Sequence, residues 1–124
     1  MRVISWEEMQ AVDANCQYFG LLALQLMENA GAAIAREIAA ISPGKRIIIV
    51  AGRGNNGGDA FAAARHLPGF NVTVYLLGRS RDISTEEAKR NWDILERLHW
   101  DLREVRDAED LKLIECDLIV DAIF

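Results

Sequence analysis

The hydrophobic positions of the chain follow a helical period first and an extended period afterwards. Apolar residues recur at helical spacing through the first forty residues or so, which predicts a short helix ending near Gly20 and a longer helix over residues 22–41. Residues 5–8, Ser-Trp-Glu-Glu, fit a capping box for the short helix. The sequence Ser-Pro-Gly at residues 42–44 ends the long one.

From residue 45 onwards, short apolar runs alternate with helical stretches. Residues 47–51 are apolar and mostly β-branched without alternation, which is typical of a strand covered on both faces in a parallel sheet. The later elements alternate in the same way: a helix over 59–67, a strand over 71–77, a helix opened by a second capping box at 84–87, a weak strand over 102–105, a short helix over 108–115 and an apolar strand over 118–124.

This order of elements predicts an α/β fold, a three-layer α/β/α sandwich with a Rossmann-like parallel sheet. Residues 1–44 would form the N-terminal helices and residues 45–124 the sheet portion of a single domain. Because the chain stops on an apolar strand with no closing helix, we expect residues 1–124 to be a truncated, incomplete domain.

Composition and charge narrow the class of protein. The 124 residues carry a formal net charge of −5 with no run of Lys or Arg, which argues against a nucleic-acid surface. Met1 and Arg2 precede polar residues, and no apolar window is long enough to span a bilayer, so we expect a cytoplasmic protein without a signal peptide or membrane segment. Cys16 and Cys116 have no metal-like spacing and are expected to be buried, reduced thiols.

A glycine-rich turn after the first strand carries the candidate chemistry. Residues 52–57 fit the spacing G-x-G-x-x-G between a strand and a helix, as in dinucleotide-binding folds. The first turn of the next helix would direct unpaired N–H groups and partial positive charge into the same crevice, which suits phosphate. Asn55, Asn56 and Asp59 add oxygen ligands, a combination that suits a cation together with a polar ligand. The alternative is an Asx-rich turn in which Asp59 caps the helix.

Asp121 is the second candidate, because a lone carboxylate inside an apolar run is costly unless it is paired, hydrogen-bonded or bound to a cation. Ligands of open α/β sheets bind outside the carboxyl ends of the strands, so Asp121 is expected to face Asn56 and Asp59. A turn or capping aspartate is the alternative interpretation.

Other polar residues have simpler explanations. The loop after the second predicted strand, Gly-Arg-Ser-Arg at 78–81, lacks the acid that ordinarily holds a ribose hydroxyl. Arg79 would therefore meet a ribose phosphate or, as the simpler interpretation, lie in a solvated loop. Glu28 and Asn29 fit the solvated face of the long helix, and His66 fits a helix C-terminus, where a cation interacts favourably with the dipole.

Three segments resemble one known family. Residues 52–59, Gly-Arg-Gly-Asn-Asn-Gly-Gly-Asp, resemble the signature of the YjeF N-terminal domain, whose enzymatic members are NAD(P)H-hydrate epimerases. Residues 26–31 are similar to the family's first long helix, and residues 120–124 to the start of its second motif. Ala60 stands where the family commonly has another glycine, and the second motif ends before its Gly-Thr-Gly continuation.

The resemblance implies epimerisation of the R and S forms of hydrated NADH and NADPH (NADHX and NADPHX), a repair step that supplies an S-specific dehydratase. It implies a potassium ion held by Asn56 and Asp121, and it makes Asp121 a candidate acid or base. It also implies a homodimer, a fused or separate dehydratase, and weak or no activity for this part alone. The positions that match the family's dinucleotide-binding loop are Asn55, Asn56, Gly57, Gly58 and Asp59.

Two other functions stay open at the level of sequence. A non-catalytic ligand- or protein-binding scaffold is possible because a fold does not fix function, although a scaffold has no need of Asn56, Asp59 and Asp121 at the crevice. An NADP-dependent oxidoreductase is supported by the glycine spacing and by Arg79. Tight binding of unmodified NADPH with hydride transfer would favour the oxidoreductase.

Overall fold

A computed structural model describes residues 3, 5–112 and 114–124. The helices are α1 (Trp6–Tyr18), α2 (Ala23–Ile41), α3 (Asn55–Arg65) and α4 (Glu86–Arg97). The strands are β1 (Arg46–Ala51), β2 (Asn71–Leu77), β3 (Asp101–Val105) and β4 (Leu118–Ala122). The predicted α/β fold with two leading helices is confirmed. None of these helices, in the part of the chain that is described, combines the length and apolar composition needed to cross a bilayer.

The sheet is four-stranded and parallel, in the order β3-β2-β1-β4. β1 lies inside it, and the side chains of Ile47, Ile48 and Ile49 are at most 1% exposed, as the unbroken apolar run predicts. Ala51, the last residue of β1, pairs with Leu76 on one side and Ala122 on the other. The carboxyl ends of three strands therefore lie together at one edge.

One face of the sheet is covered by helices. Ile47 and Ile49 pack into a core shared with α2, α3 and α4. α3 is the central helix of this layer, and its alanines over residues 62–64 are fully buried, so its small side chains let α2 and α4 pack closely on either side. Phe61 of α3 meets Trp92 of α4 edge to face, with ring centroids 5.2 Å apart.

The opposite face carries a smaller core of Ile48, Tyr75 and Val105, against which the half-buried Cys116 packs. Within the described residues, the connection from β3 to β4 covers part of this face, and Ile119 of β4 remains 51% exposed. The buried Tyr75 hydroxyl donates a hydrogen bond of 2.7 Å to the carbonyl of Lys112 in that connection. The predicted burial of the second thiol, that of Cys16, concerns a side chain outside the described residues.

Two predicted elements had wrong boundaries, for local reasons. α3 begins at Asn55 rather than residue 59, because Gly57 and Gly58 are part of its first turn instead of the loop. The predicted helix over 108–115 is only a 3-10 turn at Ala108–Asp110. There the Asp110 carboxylate accepts main-chain N–H groups at 106 and 107, and such local bonds compete with helix formation.

The predicted caps are present with one change. At α1, the Ser5 N–H donates to the Glu8 carboxylate at 2.8 Å and the Glu8 N–H donates to the Ser5 hydroxyl at 3.1 Å. At α4 the cap is Thr85, whose hydroxyl accepts from the Ala88 N–H. Ser84 is not the cap, because its hydroxyl donates to the carbonyl of Arg53.

We predict that Gly31→Ala destabilises the protein although alanine favours helix. A Cβ at Gly31 would lie 2.5 Å from the Cβ of Ala62 and 2.8 Å from the main-chain nitrogen of Ala63. Overpacking of this kind costs about 1–3 kcal/mol, more than the roughly 0.5–1 kcal/mol that alanine gains over glycine in a helix. Urea unfolding measures the change.

The matched control is Ala39→Gly at an exposed position of the same helix. This exchange should also destabilise, by about 1 kcal/mol, through helix propensity alone. If Gly31→Ala instead raised the free energy of unfolding by as much as Ala39→Gly lowers it, there would be room for a side chain at position 31. The described close contact between α2 and α3 would then be contradicted.

Candidate functional site

The glycine turn between β1 and α3 is held by close main-chain contacts. The Gly52 N–H donates to the carbonyl of Ala122 at 3.1 Å, and a Cβ at Gly52 would lie 2.5 Å from the carbonyl oxygen of Ile123. A Cβ at Gly57 would lie 2.1 Å from the carbonyl oxygen of Gly52. Glycine at these two positions therefore lets β1, the end of β4 and the start of α3 meet in a space that no side chain could share.

Gly58 seats the first turn of α3 between its neighbours. A Cβ there would lie 2.6 Å from Cε of Met27 in α2 and 2.8 Å from the Cβ of Ala88 in α4. The position of the turn is therefore fixed by packing from both flanking helices.

Gly54 differs from the other glycines of the turn because no atom lies within 4 Å of a Cβ placed on it. It is the N-cap of α3 and has no side chain to bond the first N–H groups of the helix. The first N–H groups of the helix therefore have no side-chain cap, and the positive end of the helix dipole lies at this turn. This arrangement suits an anion such as a phosphate.

The polar residues of the turn lie on or near this helix start. The Oδ1 of Asn55 accepts a 2.9 Å hydrogen bond from the hydroxyl of Thr85, and Asn56 is exposed. Asp59 is half-buried in the second turn of α3. The alternative in which Asp59 caps the helix is wrong, because the helix begins four residues earlier with Gly54 as its cap.

Asp121 is exposed near the end of β4 and pairs in register with Val50 of β1. Val120 packs against the core that contains α3. Because side chains alternate along a strand, Asp121 leaves the sheet on the opposite face. Its Oδ1 accepts a 3.1 Å hydrogen bond from the N–H of Ile123. The end of β4 thus lies beside the glycine turn. The predicted approach of the Asp121 carboxylate to Asn56 and Asp59 stays a prediction.

A second loop, residues 78–85, is bound to the glycine turn. The N–H and the hydroxyl of Ser84 both donate to the carbonyl of Arg53, at 2.8 and 3.0 Å. The Arg53 side chain lies over Gly78, whose φ is +126° and where a Cβ would be 2.7 Å from Cδ of Arg53. The sequence pattern identified Ser84 and Thr85 only as capping residues and missed this connection between the loops.

Glu28 belongs to a polar cluster at the other end of α3, about ten residues and thus roughly 15 Å along the helix from the turn. Arg65 donates to both oxygens of Glu28, and Nε2 of His66 lies 2.6 Å from the same carboxylate. Arg65 also donates to Oδ1 of Asn91 at 3.0 Å. The sequence placed Glu28 on a solvated face, whereas the structure shows an ion pair that joins α2 to α3.

Asn91 was not singled out from the sequence. It is 1% exposed, and its amide also donates to the carbonyl of Glu87 at 3.0 Å. The signal in the sequence was its place on the buried stripe of α4, three residues after Ala88 and next to Trp92. A polar residue at a buried position implies a satisfied hydrogen-bond network.

Residues 23–124 match the family model described as YjeF-related protein N-terminus. The chain belongs to this family. It is similar to the bifunctional NAD(P)H-hydrate repair enzyme Nnr of Methanothermobacter thermautotrophicus, with 44% identity over 123 residues, covering 94% of this chain and 24% of the relative. It is also similar to the NAD(P)H-hydrate epimerase of Cenarchaeum symbiosum, with 48% identity over 98 residues, covering 77% of this chain and 46% of the relative.

The fold agrees with a solved structure. The crystal structure of yeast ynu0 superimposes with a TM-score of 0.83 at 31% sequence identity, covering 100% of this chain and 57% of that chain. Of the two curated relatives, the chain spans about a quarter of the repair enzyme and about half of the epimerase. The YjeF-related membership agrees with the three segments that resembled the family in the sequence.

We predict that Gly57→Ala destabilises this YjeF-related domain strongly and that Gly54→Ala destabilises it much less. The methyl group at position 57 would overlap the Gly52 carbonyl, which is main chain and cannot rotate away, so a loss of about 1–3 kcal/mol or more is expected. Gly54 has open space and a φ of −102°, so alanine meets no clash there and loses only the N-cap preference for glycine, about 1 kcal/mol or less. Thermal unfolding of the two variants compares them, and equal stability would contradict the described turn.

We predict that Glu28→Gln lowers the melting temperature at neutral pH and that the difference shrinks in acid. The hydrogen bond from Arg65 lowers the pKa of the Glu28 carboxyl; partial burial opposes the shift, and His66 adds to it. Because the pKa is lower in the folded state, the stabilisation is present above the unfolded value of about 4.3. It is lost as pH falls through the folded pKa.

Melting temperature measured between neutral pH and about pH 3 tests this expectation. Glu37→Gln, at an exposed carboxylate of the same helix, should leave the profile close to that of the unchanged protein. A Glu28→Gln deficit that stayed constant across the range would mean that the carboxylate charge does not contribute.

Proposed function

We propose that this chain forms the dinucleotide-binding part of an NAD(P)H-hydrate epimerase, which interconverts the R and S forms of hydrated NADH and NADPH in cofactor repair. The observation that carries the proposal is the open start of α3 at Gly54, at the edge where the carboxyl ends of β1, β2 and β4 meet. The names of the relatives, an epimerase and a bifunctional repair enzyme, support the same activity.

The hydrated dinucleotide would bind along the glycine turn. Free N–H groups at the helix start hold its phosphate. The exposed amide of Asn56 and the carboxylate of Asp59, one helical turn later, offer hydrogen-bonding groups to the rest of the ligand. Gly57 and Gly58 act by keeping the turn compact.

Inversion requires that a hydroxyl leave one face of the nicotinamide ring and return on the other. The ring nitrogen lone pair expels the hydroxyl after a carboxylic acid protonates it, and water departs to leave a stabilised cation. A carboxylate on the other side of the ring then takes a proton from a water that attacks the opposite face, and exchange with solvent restores both groups. Carboxylates also stabilise the cation between the two steps. Asp121 is our candidate for the acid or the base, since its side chain is exposed at the same edge.

Asn56 and Asp121 are also the residues that would hold a potassium ion. Both are exposed and offer oxygen, the type of ligand that a weakly polarising cation prefers in several copies. No group of three or more Asp, Glu, His or Cys lies close enough to hold a metal in the described part of the chain, so amide and main-chain oxygens would complete the set. A bound potassium ion would supply positive charge beside the dinucleotide.

The proposal includes partners and a location. We propose a homodimer, a fused or separate dehydratase that uses the S form, and a cytoplasmic location, because a repair enzyme must meet nicotinamide cofactors where they are used. Much of the length of the curated relatives lies outside the matched segment. Residues 1–124 alone are therefore expected to show weak or no activity.

The test follows the S form by chromatography after the full-length protein is mixed with pure R-hydrated NADPH and potassium. Asp121→Asn should lower kcat by about 10²–10⁴-fold, the usual contribution of a general acid and base. Replacing potassium with lithium should lower activity as well, because the smaller ion prefers fewer and closer oxygens. Asp93→Asn, at an exposed position of α4, is the matched control and should leave the rate unchanged.

Two outcomes would contradict the proposal. If the full-length protein did not accelerate epimerisation above the uncatalysed rate, the proposed epimerase activity would be wrong. Tight binding of unmodified NADPH with transfer of its hydride would favour an NADP-dependent oxidoreductase instead.

A further inference from the structure

Three exposed arginines lie around the carboxyl ends of β1 and β2. Arg53 follows β1, and Arg79 and Arg81 follow β2. Among residues 3, 5–112 and 114–124, no carboxylate forms an ion pair with any of the three. The ion pairs found there involve Arg65, His66, Arg103 and Arg106. Their charges are therefore available to a ligand.

The side chain of Arg53 connects the glycine turn after β1 with the loop after β2. Its aliphatic part lies against Gly78, the residue immediately before Arg79. At a φ of +126° Gly78 occupies a conformation that a side chain would strain. The backbone of the second loop therefore turns directly beneath the first arginine, which brings positions 53 and 79 together.

The loop that carries Arg79 and Arg81 is fixed to the glycine turn. Ser84 donates two hydrogen bonds to the carbonyl of Arg53, at 2.8 and 3.0 Å, and the Thr85 hydroxyl donates to the side chain of Asn55 at 2.9 Å. These bonds hold both loops in one arrangement before a ligand binds, which reduces the entropic cost of binding.

The carboxylates near these arginines bond to other residues or follow the arginines in the chain. One Glu104 oxygen accepts from the hydroxyl of Ser80 at 3.2 Å, and the other lies 3.7 Å from the guanidinium of Arg106. Asp82 follows both loop arginines at the end of the 3-10 turn and is exposed. The loop over residues 78–81 therefore presents positive charge at the end of β2.

The end of the second strand is where parallel dinucleotide-binding sheets distinguish their cofactors. An acid there holds the ribose 2′-hydroxyl of the unphosphorylated form, and an arginine there accommodates the 2′-phosphate. We propose that Arg79 and Arg81, supported by Arg53, bind the ribose 2′-phosphate, so that hydrated NADPH is preferred over hydrated NADH. This inference rests on the proposed function and names the substrate that the site selects.

The kinetic test compares hydrated NADPH with hydrated NADH as substrates of the full-length protein. The double variant Arg79→Ala/Arg81→Ala should raise KM for hydrated NADPH by about tenfold or more, since charge-assisted hydrogen bonds to a phosphate are lost. KM for hydrated NADH and kcat for both should change by less than about twofold, because a phosphate contact made equally in the ground and transition states changes KM and leaves kcat unchanged. Arg36→Ala, at an exposed arginine of α2, is the control with one positive charge removed elsewhere.

The outcomes distinguish failure of the proposed preference for hydrated NADPH from failure of the proposed epimerase activity. An equal rise in KM for both substrates would show that the arginines contact a phosphate common to both, and it would overturn the proposal. An unchanged KM in an active protein would overturn it too. A protein inactive on both substrates would contradict the proposed function, and the preference is then judged by binding.

The binding measurement uses adenosine 2′,5′-bisphosphate and adenosine 5′-monophosphate as probes, titrated into the full-length protein and followed by calorimetry. The 2′-phosphorylated probe should bind at least about tenfold more tightly in low salt, and the advantage should decrease as salt screens the charges. The double variant, which keeps Arg53, should lose most of this difference. Equal binding of the two probes by the unchanged protein would overturn the proposal.

Discussion

The close approach of Gly57 to the carbonyl of Gly52 is the constraint on which the candidate site depends. It brings the first turn of α3 onto the end of β1 with no room for a Cβ, while the Gly52 N–H bonds to Ala122 of the neighbouring strand. The helix start is therefore fixed relative to two strand ends at once. A fixed set of N–H donors binds an anion at lower entropic cost than a mobile loop does.

The sequence predicted most of the elements, because each has a strong local pattern. The strand over 71–77 was placed correctly from its β-branched run, and α2 was placed within one residue from its helical stripe. The start of α3 was missed because glycine is usually read as a helix breaker. Gly57 and Gly58 are instead required by contacts with Gly52, Met27 and Ala88, which no local pattern contains.

The candidate residues could be named from sequence, but their arrangement could not. Asn55, Asn56 and Asp59 were recognised from their residue types, whereas the bond between Asn55 and Thr85 joins positions thirty residues apart. The same limit hid the Glu28–Arg65 pair, which connects two helices through side chains that a helical pattern assigns to solvent. Long-range polar contacts depend on tertiary placement, and a single sequence shows only the residues that are able to make them.

The central claim is that the start of α3 holds the dinucleotide. The most direct test is a titration of the isotope-labelled full-length protein with hydrated NADPH, followed through its backbone amide resonances. We expect the largest and saturable shifts at Gly54, Asn55, Asn56 and Gly57, the N-cap and first residues of α3. Shifts concentrated at the amino ends of the strands, with residues 54–57 unchanged, would contradict it.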